Sequence, residues 1–278
     1  MFIEPMLLEK ADQPFNDENY IAEWKQDGWR MLVVKWNGTL KLLSRHKNEF
    51  THVFKELLDI DIPDNSIIDC ELIAVDEEGK CDFEALQNEY RSKTRQYPLQ
   101  LVAFDLLYLN GKDLRRLPLF ERKQLLIDNI KETNKLVISR CFDGLNAVDL
   151  FELIKQHKLE GIVMKVKDSI YESRRSSNWL KILNLENELC YISGVRKGSF
   201  GVYLSYLDGT YAGIIEFMKP VDRKKVYKIA NQFKISESDK QIYLEKKVII
   251  DVSFRNKYKS GLLRIPKLNK WISNEFGE

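Results

Sequence analysis

The chain has 278 residues, 44% hydrophobic and 31% charged, with a net charge of +2. That is room for two modest domains or one large one, with enough apolar content for a sizeable core. No stretch approaches the ~20 apolar residues of a membrane span, and residues 1–10 lack the basic start and long apolar run of a signal peptide, so a protein of the cytoplasm is expected.

The charge is unevenly spread. Residues 1–185 carry 27 Lys+Arg and 31 Asp+Glu, a net of −4, while residues 186–278 carry 17 and 11, a net of +6. Short of a chance fluctuation, an acidic front and a basic back imply that the back part touches a polyanion. Cys70, Cys81, Cys141 and Cys190 form no CxxC pair, and His46, His52 and His157 no metal-ligand pattern. Structural zinc and a disulfide framework are therefore not expected, and a reducing compartment is.

In chain order, residues 1–20 read as a short polar lead-in with Pro5 and Pro14. Ile21–Trp24 and Arg30–Trp36 read as strands joined by Lys25-Gln26-Asp27-Gly28-Trp29. Gly28 permits a tight turn or close approach of backbone to a ligand, Glu23 and Asp27 set carboxylates beside the Lys25 amine, and Arg30 suits an oxyanion. The plainer alternative is an Asp-Gly hairpin with a solvated lysine. Asn37-Gly38 is a strong hairpin signal, returning through Thr39–Leu43 to Ser44-Arg45.

Phe50, Val53, Phe54 and Leu57 have helical spacing, which predicts a helix over Glu49–Leu58. Ser66–Val75 reads as a buried strand containing Asp69-Cys70-Glu71. Its two carboxylates share a face and need partners, either a metal or ribose, or an internal arginine. Asp82 caps a helix running to Tyr90. Leu99–Leu109 is a long strand around Asp105, closed by Asn110-Gly111. Helices are predicted over Pro118–Glu132 and Ala147–His157, with a strand at Leu136–Cys141 between them. Glu160 to Lys165 begins a strand, residues 171–178 read as a loop, and Asn178–Leu183 as a short strand bearing Lys181.

A boundary falls near Leu185, dividing the chain into 1–185 and 186–278. Beyond it come short strands and tight turns at Leu189–Val195, Val202–Leu207, Tyr211–Phe217, Lys247–Phe254 and Gly261–Ile265, with a helix over Arg223–Phe233. About five strands and one helix match a small oligonucleotide-binding barrel, with a β-sandwich as the alternative.

In order, Lys25-Gln26-Asp27-Gly28-Trp29-Arg30, Ser44-Arg45, Asp69-Cys70-Glu71, Phe104-Asp105, Glu160-Gly161-Ile162-Val163-Met164-Lys165 and Trp179-Leu180-Lys181 resemble the covalent nucleotidyltransferases: DNA ligases, RNA ligases and capping guanylyltransferases. The run from Phe104 to Leu114, the following Leu117 to Lys123 and the loop from Tyr171 to Lys181 are similar to bacterial ATP-dependent DNA ligases, in particular small stand-alone and phage enzymes and the ligase part of end-joining proteins.

The resemblance covers nearly the whole chain. It implies an α+β fold, with an adenylation domain of antiparallel sheets flanked by helices over 1–185 and an OB-fold barrel over 186–278. It also implies Lys25 as the nucleophile that takes AMP from ATP, passes it to a 5′-phosphate at a nick in duplex DNA, and allows the 3′-hydroxyl to displace it. Glu23, Arg30, Arg45, Glu71, Phe104, Lys165 and Lys181 would bind the nucleotide, Phe104 by stacking on adenine. Glu71 and Glu160 would hold Mg²⁺ or Mn²⁺, as hard oxygen ligands do. The expected protein is a monomer, with a DNA-end-binding or clamp-type partner adding grip. Two readings compete: an RNA ligase or GTP-using capping enzyme, and a nick-binding protein that ligates weakly. An NAD⁺-dependent ligase is not expected, since only 24 residues precede Lys25 and no zinc pattern exists.

The chain departs from the family pattern at Lys181-Ile182-Leu183, where a second lysine is usual, and at Ser173, where glycine is common. Phe254-Arg255-Asn256-Lys257, then Arg264, are the nearest match to the C-terminal motif that contacts pyrophosphate.

Overall fold

The computed structural model describes residues 1–92 and 94–272. In chain order the strands are β1 (Leu7–Lys10), β2 (Tyr20–Trp24), β3 (Trp29–Trp36), β4 (Thr39–Ser44), β5 (Ser66–Ala74), β6 (Leu99–Leu109), β7 (Lys112–Asp113), β8 (Leu136–Ile138), β9 (Cys141–Asp143), β10 (Gly161–Val166) and β11 (Arg175–Leu183), followed by β12 (Glu186–Arg196), β13 (Val202–Tyr206), β14 (Tyr211–Ile215), β15 (Lys234–Glu237), β16 (Gln241–Leu244), β17 (Ile249–Phe254) and β18 (Lys267–Trp271). The helices are α1 (Phe83–Arg91), α2 (Leu119–Asn129), α3 (Ala147–Gln156) and α4 (Pro220–Phe233). The fold is mixed and dominated by sheet, with two compact units, Met1–Asn184 and Leu185–Glu278.

The first unit holds two sheets. One runs β4-β3-β5-β6-β7, with β8 also on β6; the other runs β1-β11-β10-β2-β9. An apolar layer packs between them, with Leu32, Val34, Ile67 and Leu107 from the first sheet meeting Trp179 and Ile21 from the second. On its outer face the six-stranded sheet buries Met31, Val33, Ile68, Leu101 and Leu106 against Ala85 and Leu86 of α1 and Leu126 of α2. The five-stranded sheet buries Ala22, Ile162, Met164 and Ile182 against Leu150, Phe151 and Ile154 of α3. Pairing is antiparallel except for β1 with β11 and β6 with β8. Both Asn-Gly pairs make tight hairpins, with positive φ at Asn37 and Gly38 (48° and 73°) and at Asn110 and Gly111 (49° and 80°).

Several expectations need correction. Residues 1–20 are more than a lead-in, because β1 closes one edge of the five-stranded sheet. Glu49–Leu58 is not an α-helix; only Lys55–Leu58 forms a 3₁₀ turn. The Phe50 amide donates to the Leu42 carbonyl at 2.8 Å, so this segment continues from β4. Its helical spacing comes from Phe50 and Phe54 packing on Trp29. Lys25 lies between strands of different sheets, so its turn is not a hairpin.

In the second unit β12 is the central strand. It pairs with β13 on one side and with β16 and β17 on the other, and β18 pairs with β17. Helix α4 packs Val226, Ile229 and Ala230 onto this curved sheet's core. Gly261–Ile265 contributes an isolated bridge, Lys257 to Leu263, instead of the expected strand.

Candidate active site

Register collects the charged groups on one face of the five-stranded sheet. Val163 pairs with Glu23 and Lys181, and Lys165 pairs with Ile21 and Trp179. Alternate strand residues share a face, so Glu23, Lys165, Trp179 and Lys181 all turn toward the layer between the sheets. From the other sheet, the pairs Arg30–Glu71 and Leu32–Asp69 bring Arg30, Asp69 and Glu71 to the same layer.

Lys25 is held at its backbone and at its tip. Its amide donates to the Gly161 carbonyl at 2.9 Å, and its Nζ donates to Glu160 Oε2 at 2.8 Å. The lysine side chain is 17% exposed and that of Glu160 3%. Two glycines make this approach possible. A Cβ on Gly28 would stand 2.1 Å from the Leu72 carbonyl oxygen, so the backbone here closes on β5, where the sequence suggested a tight turn or a ligand. A Cβ on Gly161 would stand 2.1 Å from the Ile182 carbonyl oxygen, and its φ of +149° favours glycine as well.

Glu23 is 2% exposed and carries four contacts. Lys165 Nζ donates to both its oxygens at 3.1 Å, Lys123 Nζ lies 2.8 Å from Oε1, the Ser139 hydroxyl donates at 3.0 Å and the Cys141 thiol at 3.7 Å. Burial works to raise the Glu23 carboxyl, but Lys123 and Lys165 outweigh it and hold the group below its ordinary range. Burial, reinforced by Lys123, lowers Lys165. The Lys165 ammonium also stands 4.6 Å from the Phe104 ring centre and 4.4 Å from that of Trp179.

Arg30 forms an ion pair with the buried Asp69, its own side chain 13% exposed. Its Nε and Nη2 donate to Asp69 at 2.9 and 2.6 Å, and Nη1 donates to the Met6 carbonyl at 2.5 Å. Tyr171 donates its hydroxyl to Asp69 at 2.6 Å. Of the two partners weighed for Asp69, the internal arginine is the one found. Asp105 has its own arginine: Arg122 Nε and Nη2 both donate to it at 2.8 Å, with neither side chain exposed. Glu71 differs. Burial pushes its carboxyl up to about 7, Glu160 and Asp69 add to the rise, and Lys25 and Arg30 oppose it.

The structure thus gathers Glu23, Lys25, Arg30, Glu71, Phe104, Glu160, Lys165 and Lys181 around one layer. Arg45 stands apart, exposed in the turn after β4 with its Nε donating to His46 at 2.9 Å. Sequence reasoning missed Lys123, Ser139 and Tyr171 as members. The available signal was the charged pair Arg122-Lys123 on the buried stripe of α2. Among the described residues no group of three or more His, Cys, Asp or Glu could hold a metal ion. Glu71 and Glu160 still suit Mg²⁺, which is usually held by one or two carboxylates plus water and phosphate oxygens.

The family model for the ATP-dependent DNA ligase domain matches residues 5–182, nearly all of the first unit. The chain belongs to the ATP-dependent DNA ligase family. This ligase is 40% identical over 272 residues to the SPbeta prophage-derived DNA ligase-like protein LigB of Bacillus subtilis, covering 98% of the chain and 99% of that protein. It is 34% identical over 188 residues to the multifunctional non-homologous end joining protein LigD of Pseudomonas aeruginosa, covering 65% of the chain but only 22% of that protein. The fold matches a solved Lig E DNA ligase with a TM-score of 0.67 at 16% identity, covering 98% of this chain and 100% of that one. It matches a mycobacterial DNA ligase D complexed with ATP and MES with a TM-score of 0.57 at 22% identity, covering 98% and 96%. No helix among the described residues is long and apolar enough to cross a membrane.

Proposed function

We propose that this ligase seals nicks bearing a 5′-phosphate and a 3′-hydroxyl in duplex DNA, carrying AMP covalently on Lys25. The observation that carries the reading is Lys25 Nζ at 2.8 Å from Glu160 Oε2, in electrostatic contact with Glu71. The Lys25 amine attacks the α-phosphorus of ATP, a phosphorus–nitrogen bond forms and pyrophosphate leaves. Glu160 orients that amine and is in place to receive its proton. Glu71 and Glu160 would hold a Mg²⁺ ion, whose chemistry there is to neutralise charge building on the phosphates.

Phe104 stacks on adenine in this reading, Glu23 accepts from the 6-amino group, and Lys165 donates to N1. Lys181 meets the α-phosphate, and Arg30 the ribose or the nick. The first unit is the nucleotidyltransferase domain and the second an OB-fold that grips DNA phosphates. Arg196, Lys197 and Lys257 already pair with Glu216, Glu237 and Glu188, which leaves the exposed Lys224 and Lys228 of α4 as the better phosphate contacts. The reading includes a cytoplasmic monomer, with a DNA-end-binding or clamp-type partner strengthening its hold.

The test mixes protein, Mg²⁺ and α-labelled ATP or GTP, with Lys25→Ala alongside and a chase of nicked duplex. Label from ATP that needs Lys25 and ends in sealed DNA is the expected result. Label from GTP means a capping-type enzyme, and label that never reaches DNA means an RNA substrate or a missing partner. No label means a nick-binding protein, with Leu183→Lys the first restoration to try.

A further inference from the structure

Helix α2 buries Leu119, Arg122, Lys123 and Leu126, the spacing of one helical face. Two charges on a buried stripe need partners, and each finds them. Arg122 takes Asp105. Lys123 does something less ordinary. Its ammonium stands 2.8 Å from Glu23 Oε1 and donates to the Phe104 carbonyl oxygen at 3.1 Å. Glu23 belongs to β2 in one sheet and Phe104 to β6 in the other. One ammonium, with three donors to give, therefore ties together the two groups assigned above to the edge and the face of the base. It is 6% exposed, so it acts through them.

We propose that Lys123 is the positioning residue that sets the base selectivity of this ligase, by fixing Glu23 as an acceptor and Phe104 as a stacking face together. The inference rests on the nucleotide reading given above and deepens it. Glu23 is shared by two lysines, and the sharing has a use. Lys165 can turn a donor toward a base nitrogen only if the carboxylate it leaves stays neutralised, because an unpaired buried carboxylate is costly. Lys123 supplies that second charge from behind. It also keeps Glu23 ionised, hence acceptor-only. Adenine offers an amino donor beside an N1 acceptor, which matches a carboxylate beside an ammonium. A 6-oxopurine offers an acceptor beside an N–H donor, which mismatches both, and a site built to pair such groups rejects the analogue strongly.

The test measures kcat/KM for the covalent nucleotidyl-enzyme with ATP, with inosine triphosphate, and with purine riboside triphosphate, which lacks the amino group. Wild type is compared with Lys123→Met and Lys123→Arg, each checked for a cooperative melt, and Lys123→Gln serves if the methionine variant does not fold. Wild type should favour ATP over inosine triphosphate by about 10⁴-fold. The neutral variant should lose about tenfold or more of that ratio, with the loss falling on ATP, and arginine should restore most of it. A neutral variant that slows all three nucleotides by one factor, or none, overturns the proposal and leaves Lys123 merely structural. Wild type that takes no label from any nucleotide overturns the nucleotide reading itself, and this inference with it.

Discussion

Glu23, Asp69 and Asp105 are carboxylates with almost no exposure, and each is met by a cation from a distant part of the chain. Removing one partner of such a pair costs more than the pair contributes, because the remaining charge is stranded. Arg122→Met should destabilise the protein by about 3–5 kcal/mol, and the double variant with Asp105→Leu should recover most of it. Thermal melts of the three variants check this, and full additivity would refute it. Glu23 also makes a pH prediction. Its folded pKa lies below the ordinary 4.5, so its contribution is present above that value and lost as pH falls through the folded one. Glu23→Gln should flatten the acid limb of the melting curve; an unchanged limb counts against it. At this scale the sequence was legible where motifs predicted a cluster, as with Lys25 and Glu160, whose side chains the structure brings to 2.8 Å. It was opaque where a buried charge needed a partner far along the chain, as with Lys123 and Ser139 for Glu23. Nothing local marks which lysine reaches which carboxylate.

Among the elements, the β2–β3 connection depends on Gly28 for contact rather than for a special backbone angle. Gly28→Ala must push the loop off the Leu72 carbonyl, costing about 1–3 kcal/mol and moving Lys25 away from Glu160. Adenylation should fall by about tenfold or more, since small displacements of a reacting group are costly. A labelling time course decides, and wild-type rates would show that the loop tolerates the change. Elements with strong local signals were readable: the Asn37-Gly38 hairpin, the end of β6 at Asn110-Gly111, and the α1 cap, where Asp82 accepts from the Ala85 amide at 2.8 Å. β15 and β18 escaped notice because they lie largely exposed and lack clear apolar alternation. Glu49–Leu58 misled because its periodicity serves an aromatic cluster with Trp29 and Tyr90.

Across the molecule, the charge split is the feature with the clearest consequence. Residues 186–278 carry a net of +6 (17 basic, 11 acidic), a polarity suited to phosphate contact. Nick binding should weaken steeply between low and moderate salt, and Lys224→Ala with Lys228→Ala should cut the log–log salt slope by about 1–2. Filter binding across a salt series reads this; a flat response would sink it.

The parallel pairing of β1 with β11 has a consequence for the order of events at the ribosome. Strands β3 to β6 can pair as they emerge, each beside a neighbour close in the chain. Leu7 must wait for Arg175, and Lys25 for Glu160. At about 5–20 residues per second that wait lasts roughly ten to thirty seconds. The lysine proposed to carry AMP is therefore made early and paired late, and in a nascent chain it lacks its Glu160 partner until nearly all of the first unit has been made.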